Sequence, residues 1–595
     1  MNLDDSQREV VEISPGDRQV VIAGPGAGKT EVVAALVERL VQVEGVDADD
    51  GVLVLSFSNA AVFAVERRLR QSGASLVAVQ TMDSLAGEVL HDLAEFETKG
   101  LGFDGRVELA ARLIANEGWD RLERIKHLIV DEVQDVVGVR ADFLGRVIEA
   151  LPEDSGFTAL GDPAQGIYDF QILPDSNGRQ PRSATSSQQL VRNLIDSHGA
   201  AARVLRGQYR ARSRDAIAAA RLRDQVLLPE GPSAIEDFLV HVARAGQVGD
   251  VLAAARRWPG QTVFLTENNG QALLVAGEIA ATGASVELRR SADQRVLAGW
   301  IARLLADAPK RTVARPDFEE MISRLGPGID AHRTWLGLRR LMGGRGTEID
   351  VLRLASKLKS QRAVPPDFMD NPGADFVVST VHRAKGLEFE NVVLVDFPSK
   401  PWVERGEPAD ESRRRFVAIT RAKNLIVRSD GPDDRSLSLV SCGPASRWIV
   451  RGRSSWQTFG IELGVNDLDL SRPGGTDQAA VQAHLDRAIG IGDQLEFRLD
   501  SMRSTLDIPS YNVLHQDLVI ARTSVEFGES LARRVRTRHK SRSPWPALAG
   551  ARVESVGTVA GAPQSGTVGR HGLWLAPFAV GMLKVSWKGT DDVKA

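Results

Sequence analysis

Short β-branched apolar runs alternate with stretches of helical spacing along this chain, and that alternation predicts its architecture. Arg18–Ala23 is one such run, and Glu31 to Gln42 beyond it places Val, Ala and Leu at helical intervals. Val52–Phe57 reads as a buried strand followed by a helix over Ala60–Arg70, and 76–79, 127–130 and 157–160 read as further strands. Strands separated by helices predict a parallel sheet covered on both faces. Residues 1–200 are therefore expected to form one α/β domain, with a helical insertion over about 86–125.

A second alternation follows. Runs at 262–265, 286–288, 376–379, 392–395 and 425–427, with a helix over about 270–282, predict another α/β domain over 201–430. A mainly helical stretch over about 291–372 interrupts it. From 431 to 595 the pattern changes to short β-rich runs, such as Gln494–Leu499 and Asp517–Ile520, between Gly/Pro/Ser-rich turns. The expectation there is a C-terminal β-rich accessory region, with Ser471–Asp477 as a linker.

Composition narrows the class. The chain has 595 residues, 43% hydrophobic, 26% charged and 5% aromatic, as in an ordinary globular protein of several domains. A net charge of −4 argues against bulk attraction to nucleic acid but leaves room for a basic groove. Its single cysteine, Cys442, has no internal disulfide partner, and no Cys/His cluster has zinc spacing. The N-terminus lacks the pattern of a secretory signal, and no apolar run reaches the length of a membrane span. A cytoplasmic chain without a membrane partner is expected.

Two segments carry chemistry. Gly24-Pro-Gly-Ala-Gly-Lys-Thr30 lies between a strand and a helix, the setting of a phosphate-binding loop, in a form one residue short between its outer glycines. Gly24, Gly26 and Gly28 let backbone N–H groups face phosphate, Lys29 neutralises the β/γ oxygens, and Thr30 offers a hydroxyl to Mg²⁺. Asp131-Glu-Val-Gln-Asp135 ends the apolar strand 127–130. Asp131 suits the metal, and Glu132 suits a water poised for in-line attack, which a kinase would not need. ATP and Mg²⁺ are the expected cofactors.

The string Asp131–Asp135 resembles motif II of the UvrD/Rep group of superfamily 1 (1A) DNA helicases, and further motifs stand in that family's order. Asn2–Gln7 resembles the Q motif, which implies that Gln7 reads adenine. Leu55–Asn59 resembles the motif that touches single-stranded DNA, implicating Phe57 and Asn59. Gly161–Phe170 resembles motif III, with Gln165 sensing the γ-phosphate and Tyr168 and Phe170 stacking on bases. Gln208–Arg210 resembles motif IV, with Tyr209 on adenine and Arg210 on the γ-phosphate. Thr380–Phe389 resembles motif V, with Glu388 near the ribose and Thr380 and His382 facing nucleic acid. Thr420-Arg421 resembles motif VI, where Arg421 completes the site.

The resemblance covers residues 1 to about 430 and implies a two-domain RecA-like core, 3′→5′ movement on single-stranded DNA and unwinding of tailed duplexes. Taken singly, the arginines also fit solvated positions, and the aromatics and His382 fit core positions.

The chain departs from the family in places. Asp83 stands where many members have a DNA-facing His, Gln171-Ile172 replaces the usual Arg-Gly-Ala, Val136 replaces a common Thr, and the insertion over 291–372 is short. The run Arg533–Arg542 reads equally as an accessory phosphate contact or a solvated face. The C-terminal region is a candidate site for nucleic acid or a protein partner. Two other functions stay open: a translocase that strips proteins or serves a partner nuclease with little unwinding, and a nucleotide-gated interaction switch.

Overall fold

The computed structural model describes residues 3–57, 62, 65, 68, 69, 77–94, 100–174, 180–289, 296–325, 329–344, 347–359, 364, 368–370, 373–399, 402, 409–452, 457–535 and 545–587. Asn59, most of the predicted helix over 60–70 and positions 536–542 of the basic run lie outside them. The chain separates into two compact units. One is Met1–Ala243 with Ala384–Val392 and Trp402–Val427; the other is Arg244–Arg383 with Val393–Pro401 and Arg428–Ala595.

In the first unit, strands β1 (Arg18–Ala23), β2 (Val52–Ser56), β3 (Ala78–Thr81), β4 (His127–Asp131), β5 (Gly156–Gly161) and β6 (Ala201–Leu205) form one sheet. Their order is β3-β2-β4-β5-β1-β6, and every neighbouring pair is parallel. Period-two alternation explains how both faces are filled. Val20, Leu53, Leu55, Leu128, Val130 and Phe157 point into one core, packed with the helices Met82–Leu93, Phe103–Glu117 and Val139–Glu149. Val21, Val52, Val54, Ile129 and Leu160 point into the other, under helices α1 (Asp5–Val11) and α2 (Lys29–Gln42). Each such fully buried Val, Leu, Ile or Phe contributes about 1.5–3 kcal/mol. The predicted parallel α/β core is borne out. β6 was not foreseen, because Ala-Ala-Arg-Val-Leu at a sheet edge is mostly exposed and carries no alternation.

In the second unit, β7 (Arg244–Gln247), β8 (Thr262–Thr266), β9 (Val286–Leu288), β10 (Thr312–Ala314), β11 (Glu348–Asp350) and β12 (Phe376–Thr380) precede β13 (Phe389–Asp396) and β14 (Ala422–Asp430). With the later parts of β13 and β14 the sheet order is β7-β14-β13-β8-β12-β9, and β8–β12, β9–β12 and β7–β14 pair in parallel. β10 and β11 form a small antiparallel ribbon among helices Gly299–Leu305, Arg315–Leu325, Ala331–Leu341 and Val351–Lys359.

The C-terminal part is β-rich, as expected, and its strands pair antiparallel. β15 (Leu437–Ser441), β16 (Ser446–Arg451), β17 (Thr458–Leu463), β18 (Glu496–Leu499), β19 (Tyr511–His515), β20 (Leu518–Arg522), β21 (Ala547–Ala549), β22 (Arg552–Ala560) and β23 (Leu573–Ser586) make it up. They form a β15-β16-β17-β23-β21 sheet, with β22 on β23, and a β18-β19-β20 sheet. Ser471–Asp477 is not a free linker: a Cβ on Gly474 would stand 1.8 Å from the Ile520 carbonyl oxygen, so the segment lies hard against β20. The helices over 299–359 share one hydrophobic core with these strands, uniting Ile301, Trp335 and Leu354 with Ile449, Leu573 and Leu583. Thr558 ties the two together, its hydroxyl donating to Ala298 O at 2.7 Å and accepting from Ala302 N at 2.9 Å.

Candidate active site

β1 lies inside the first sheet between β5 and the edge strand β6 and delivers the glycine loop to the sheet's C-terminal edge, where ligands of parallel sheets bind. Gly26 and Gly28 have φ of 80° and 82°, conformations that a side chain would strain. Space forbids a side chain as well: a Cβ on Gly26 would meet Arg210 Cβ at 2.8 Å, and one on Gly28 would meet Gln7 Nε2 at 2.7 Å. Lys29 and Thr30 open α2, whose unpaired first-turn N–H groups and dipole favour an anion. The Lys29 ammonium donates to Ala23 O at 3.3 Å and stands 3.8 Å from a Glu132 carboxylate oxygen.

Asp131 ends β4 and Glu132 follows in the left-handed region at φ 56°, an unusual conformation for a residue with a side chain. That turn aims successive side chains differently. Asp131 is 3% exposed. Burial, then the charge of Glu132, pushes its pKa up. Burial would push Glu132 the same way, but Lys29, Lys385, a hydrogen bond from Gln134 and Arg421 outweigh it and hold Glu132 ionised. Among the described residues Asp131 forms no ion pair; its Oδ1 accepts only the Glu132 N–H, at 2.9 Å. A buried carboxylate with no ion-pair partner among the described residues, near a helix that opens with Lys-Thr, fits a Mg²⁺ ligand set of Asp131 and Thr30.

Three later segments of the same unit reach this place. Arg421, 1% exposed, donates through Nη2 to Gln165 Oε1 at 2.8 Å and through Nε to Val417 O at 2.9 Å. Burial, then the neighbouring Arg210, lowers its pKa to about 9, so it stays charged at neutral pH. Gln165 in turn donates to Asp162 at 2.8 Å, and Asp162 takes Arg223 Nε at 2.9 Å. Arg210 holds Glu388 at 2.7 Å, and Lys423 reaches the other oxygen of Glu388 at 3.3 Å.

Lys385, unassigned in the sequence, ion-pairs with Asp135, donates to Gln165 O and lies 5.3 Å over the Tyr168 ring. Its string His-Arg-Ala-Lys offers several basic residues, and nothing in it singles out the one that folds inward. Gln134, Asp162 and Arg223 were missed for the same reason: their roles are contacts to other site residues.

Gln7 is buried with both ends of its amide engaged: Oε1 takes Asp4 N at 3.1 Å and Nε2 donates to Ala27 O at 3.1 Å. The Tyr209 ring is 59% exposed, its hydroxyl bonds Asp4, and its N–H donates to Gly26 O at 2.8 Å. Gln7 and Tyr209 thus flank the glycine loop.

Phe57, Tyr168 and Phe170 form a row, with centroids 4.8 Å and 6.1 Å apart and Phe170 56% exposed. Asp83 does not stand free: Arg140 grips both of its oxygens, at 2.8 and 3.0 Å, and also reaches Asp104 at 3.1 Å. The residue standing for the family's His is therefore a tie between helices. Thr380 and His382 lie in the second unit, where they line a cavity of about 430 Å³.

Residues 7–171 match the family model of an AAA domain, and residues 366–429 match that of a UvrD-like helicase C-terminal domain. The chain thus carries, in this order, a segment like an AAA domain and a segment like the UvrD-like helicase C-terminal domain. A protein named as an ATP-dependent DNA helicase of Acanthamoeba polyphaga mimivirus is 26% identical over 171 residues, covering 26% of this chain and 24% of that protein. F-box DNA helicase 1 of Gallus gallus is 30% identical over 96 residues, covering 13% and 10%. The chain thus aligns with a quarter or less of these relatives' length. The crystal structure of Pif1 helicase from Candida albicans aligns at a TM-score of 0.36 and 13% identity, over 72% of this chain and 94% of that one. The first matched segment carries Lys29, Asp131, Glu132 and Gln165, and the second carries Lys385, Glu388 and Arg421. No described helix is long and apolar enough to cross a membrane.

Proposed function

We propose that this protein is a DNA helicase that hydrolyses ATP to move 3′→5′ along single-stranded DNA and to open tailed duplexes. The observation that carries this reading is the convergence of Arg421 and Lys385 on Gln165 and Asp135, beside Lys29 and Glu132. A phosphate-binding switch would need the loop alone; hydrolysis coupled to movement needs groups from remote segments that engage only when the site is assembled.

In this reading Gln7 and Tyr209 take adenine, Glu388 the ribose, and Gly24, Gly26 and Gly28 the phosphate backbone contacts. Lys29, Arg210 and Arg421 offset charge on the transferred group. Thr30 and Asp131 would hold Mg²⁺, which supplies further neutralisation of phosphate oxygens. Glu132, ionised and held by Gln134, orients the attacking water, and Gln165 passes the state of the site to Tyr168 through its neighbours. Phe57, Tyr168 and Phe170, with Asn59, Thr380 and His382, grip the strand by stacking and backbone contact. The corresponding domains are 1–200, 201–430 and 431–595.

ATPase rates with and without single-stranded DNA, for wild type and Lys29→Ala, test this. DNA should stimulate the wild type and leave the variant inactive; no stimulation by any nucleic acid sinks the motor. Duplexes with 3′ and 5′ tails read polarity. A second reading, translocation with little strand separation, is favoured by the insertion's helices being packed into the C-terminal core. It predicts movement on single strands without displacement of a duplex.

A further inference from the structure

The cavity lined by Thr380 and His382 has walls that the family motifs do not supply. Asn268 and Asn269 come from the start of the helix Asn269–Ala281, Trp448 from β16 and Glu462 from β17. Trp448 is set firmly. A Cβ on Gly270 would stand 2.4 Å from two of its ring carbons, so the indole is packed tightly against the helix's first turn. Its backbone N–H donates to Glu462 Oε2 at 2.9 Å, which brings that carboxylate to the same wall. Leu439, paired with Trp448 across β15 and β16, adds an exposed apolar edge.

The chemistry of these walls selects a ligand. Glu267 and Glu462 both line the space and would repel a phosphate. An aromatic plane beside carboxylate acceptors suits a flat heterocycle carrying amino donors. About 430 Å³ holds one nucleobase with room for its sugar. We propose that this cavity takes one nucleobase of a single strand, stacked on Trp448, with the amino group of cytosine or adenine donated to Glu462. The inference rests on the single-strand reading above and adds to it a base-discriminating position contributed by the C-terminal region.

The test uses the full chain and fluorescent homopolymers of deoxycytidine, deoxythymidine and cytidine, with deoxycytidine monophosphate as a free-nucleotide arm. Wild type should bind the deoxycytidine strand more tightly than the deoxythymidine strand, since thymine has no amino group. Glu462→Gln should bring the two affinities together. Trp448→Ala should weaken both by about tenfold, the loss expected for one stacked base, and Trp448→Phe should recover most of it. Tighter binding of the ribose strand would assign the site to RNA, and binding of the monophosphate alone would assign it to a free nucleotide; either overturns the proposal as written.

Equal wild-type affinities for the two deoxy strands, or a folded Trp448→Ala that binds as wild type, would also overturn it. Should Trp448→Ala fail to fold, Glu462→Gln decides. DNA-stimulated ATPase is measured alongside: stimulation without base preference defeats the cavity alone, whereas no binding and no stimulation defeats the motor reading as well.

Discussion

Arg421 reaches Gln165 across the candidate site at 2.8 Å, and Gln165 spends its amide nitrogen on Asp162, also at 2.8 Å. The glutamine therefore cannot turn toward a phosphate without releasing one partner, and the arginine is held by the group that would sense it. The two act as one device. Arg421→Ala and Gln165→Ala should each lower DNA-stimulated kcat by about a hundredfold or more, with a smaller change in KM for ATP. The double variant should be little worse than either single one. Arg421→Lys should not restore the rate, because an ammonium lacks the planar fork that spans Gln165 and the Val417 carbonyl. Multiplicative losses in steady-state assays would show independent roles.

Lys385 and Asp135 make a nearly dry ion pair, their side chains 6% and 3% exposed. Burial nevertheless raises Asp135 to about 7, with Lys385 pulling the other way. Removing the cation with Lys385→Met lets the carboxyl stay protonated at neutral pH, so the loss should be about 1–3 kcal/mol rather than that of an unrelieved buried charge. The sign follows from a folded pKa raised above the unfolded value: the wild type has its full contribution below the unfolded pKa and has lost it once pH passes about 7, whereas the variant, without the Lys385 charge that lowers Asp135, is raised further and goes on losing stability above that pH. Thermal melts without nucleotide or Mg²⁺ should therefore show the gap between variant and wild type widening from pH 6 to pH 8.5. A gap that narrows would contradict the assignment of charge.

His127 opens β4 fully buried, with one ring nitrogen on Pro15 O at 2.8 Å and the other on Thr158 Oγ1 at 2.9 Å. Burial depresses its pKa to about 4. A His with a depressed folded pKa contributes stability that is present above the unfolded value near 6.5 and lost as pH falls toward 4. The loss is about 3 kcal/mol across that window. His127→Asn removes the titration, so the variant's melting temperature should fall less between pH 7 and pH 4.5 than that of the wild type. Identical slopes would refute this.

Much of this protein was legible from spacing alone. β1 appears at its predicted bounds, and β4 and β5 extend their predicted runs by a residue or two, because buried parallel strands are nearly continuous apolar runs between glycine or acidic turns. The phosphate-loop and acidic residues could be named because they stand at a strand end or helix start, and the other motif residues because their strings resemble the family's motifs in order. What escaped were the residues whose work is to hold other residues. Lys385 is one basic residue among several until the fold shows which one meets Asp135. Asp83 looked like a change in the strand-binding surface until Arg140 was seen to grip both its oxygens.

The sequence by itself determined the two parallel α/β patterns, the glycine loop, the acidic strand end and the order of the motifs, since all of these depend on neighbours a few residues apart. Tertiary structure decided which distant groups meet: Arg421 with Gln165, Lys385 with Asp135, and Trp448 with the helix start at Gly270. It also decided that the helices over 299–359 and the C-terminal strands fill one core. Such pairings lie outside local pattern because burial is satisfied by any apolar partner of the right shape. Which one is chosen depends on the packing of the whole chain.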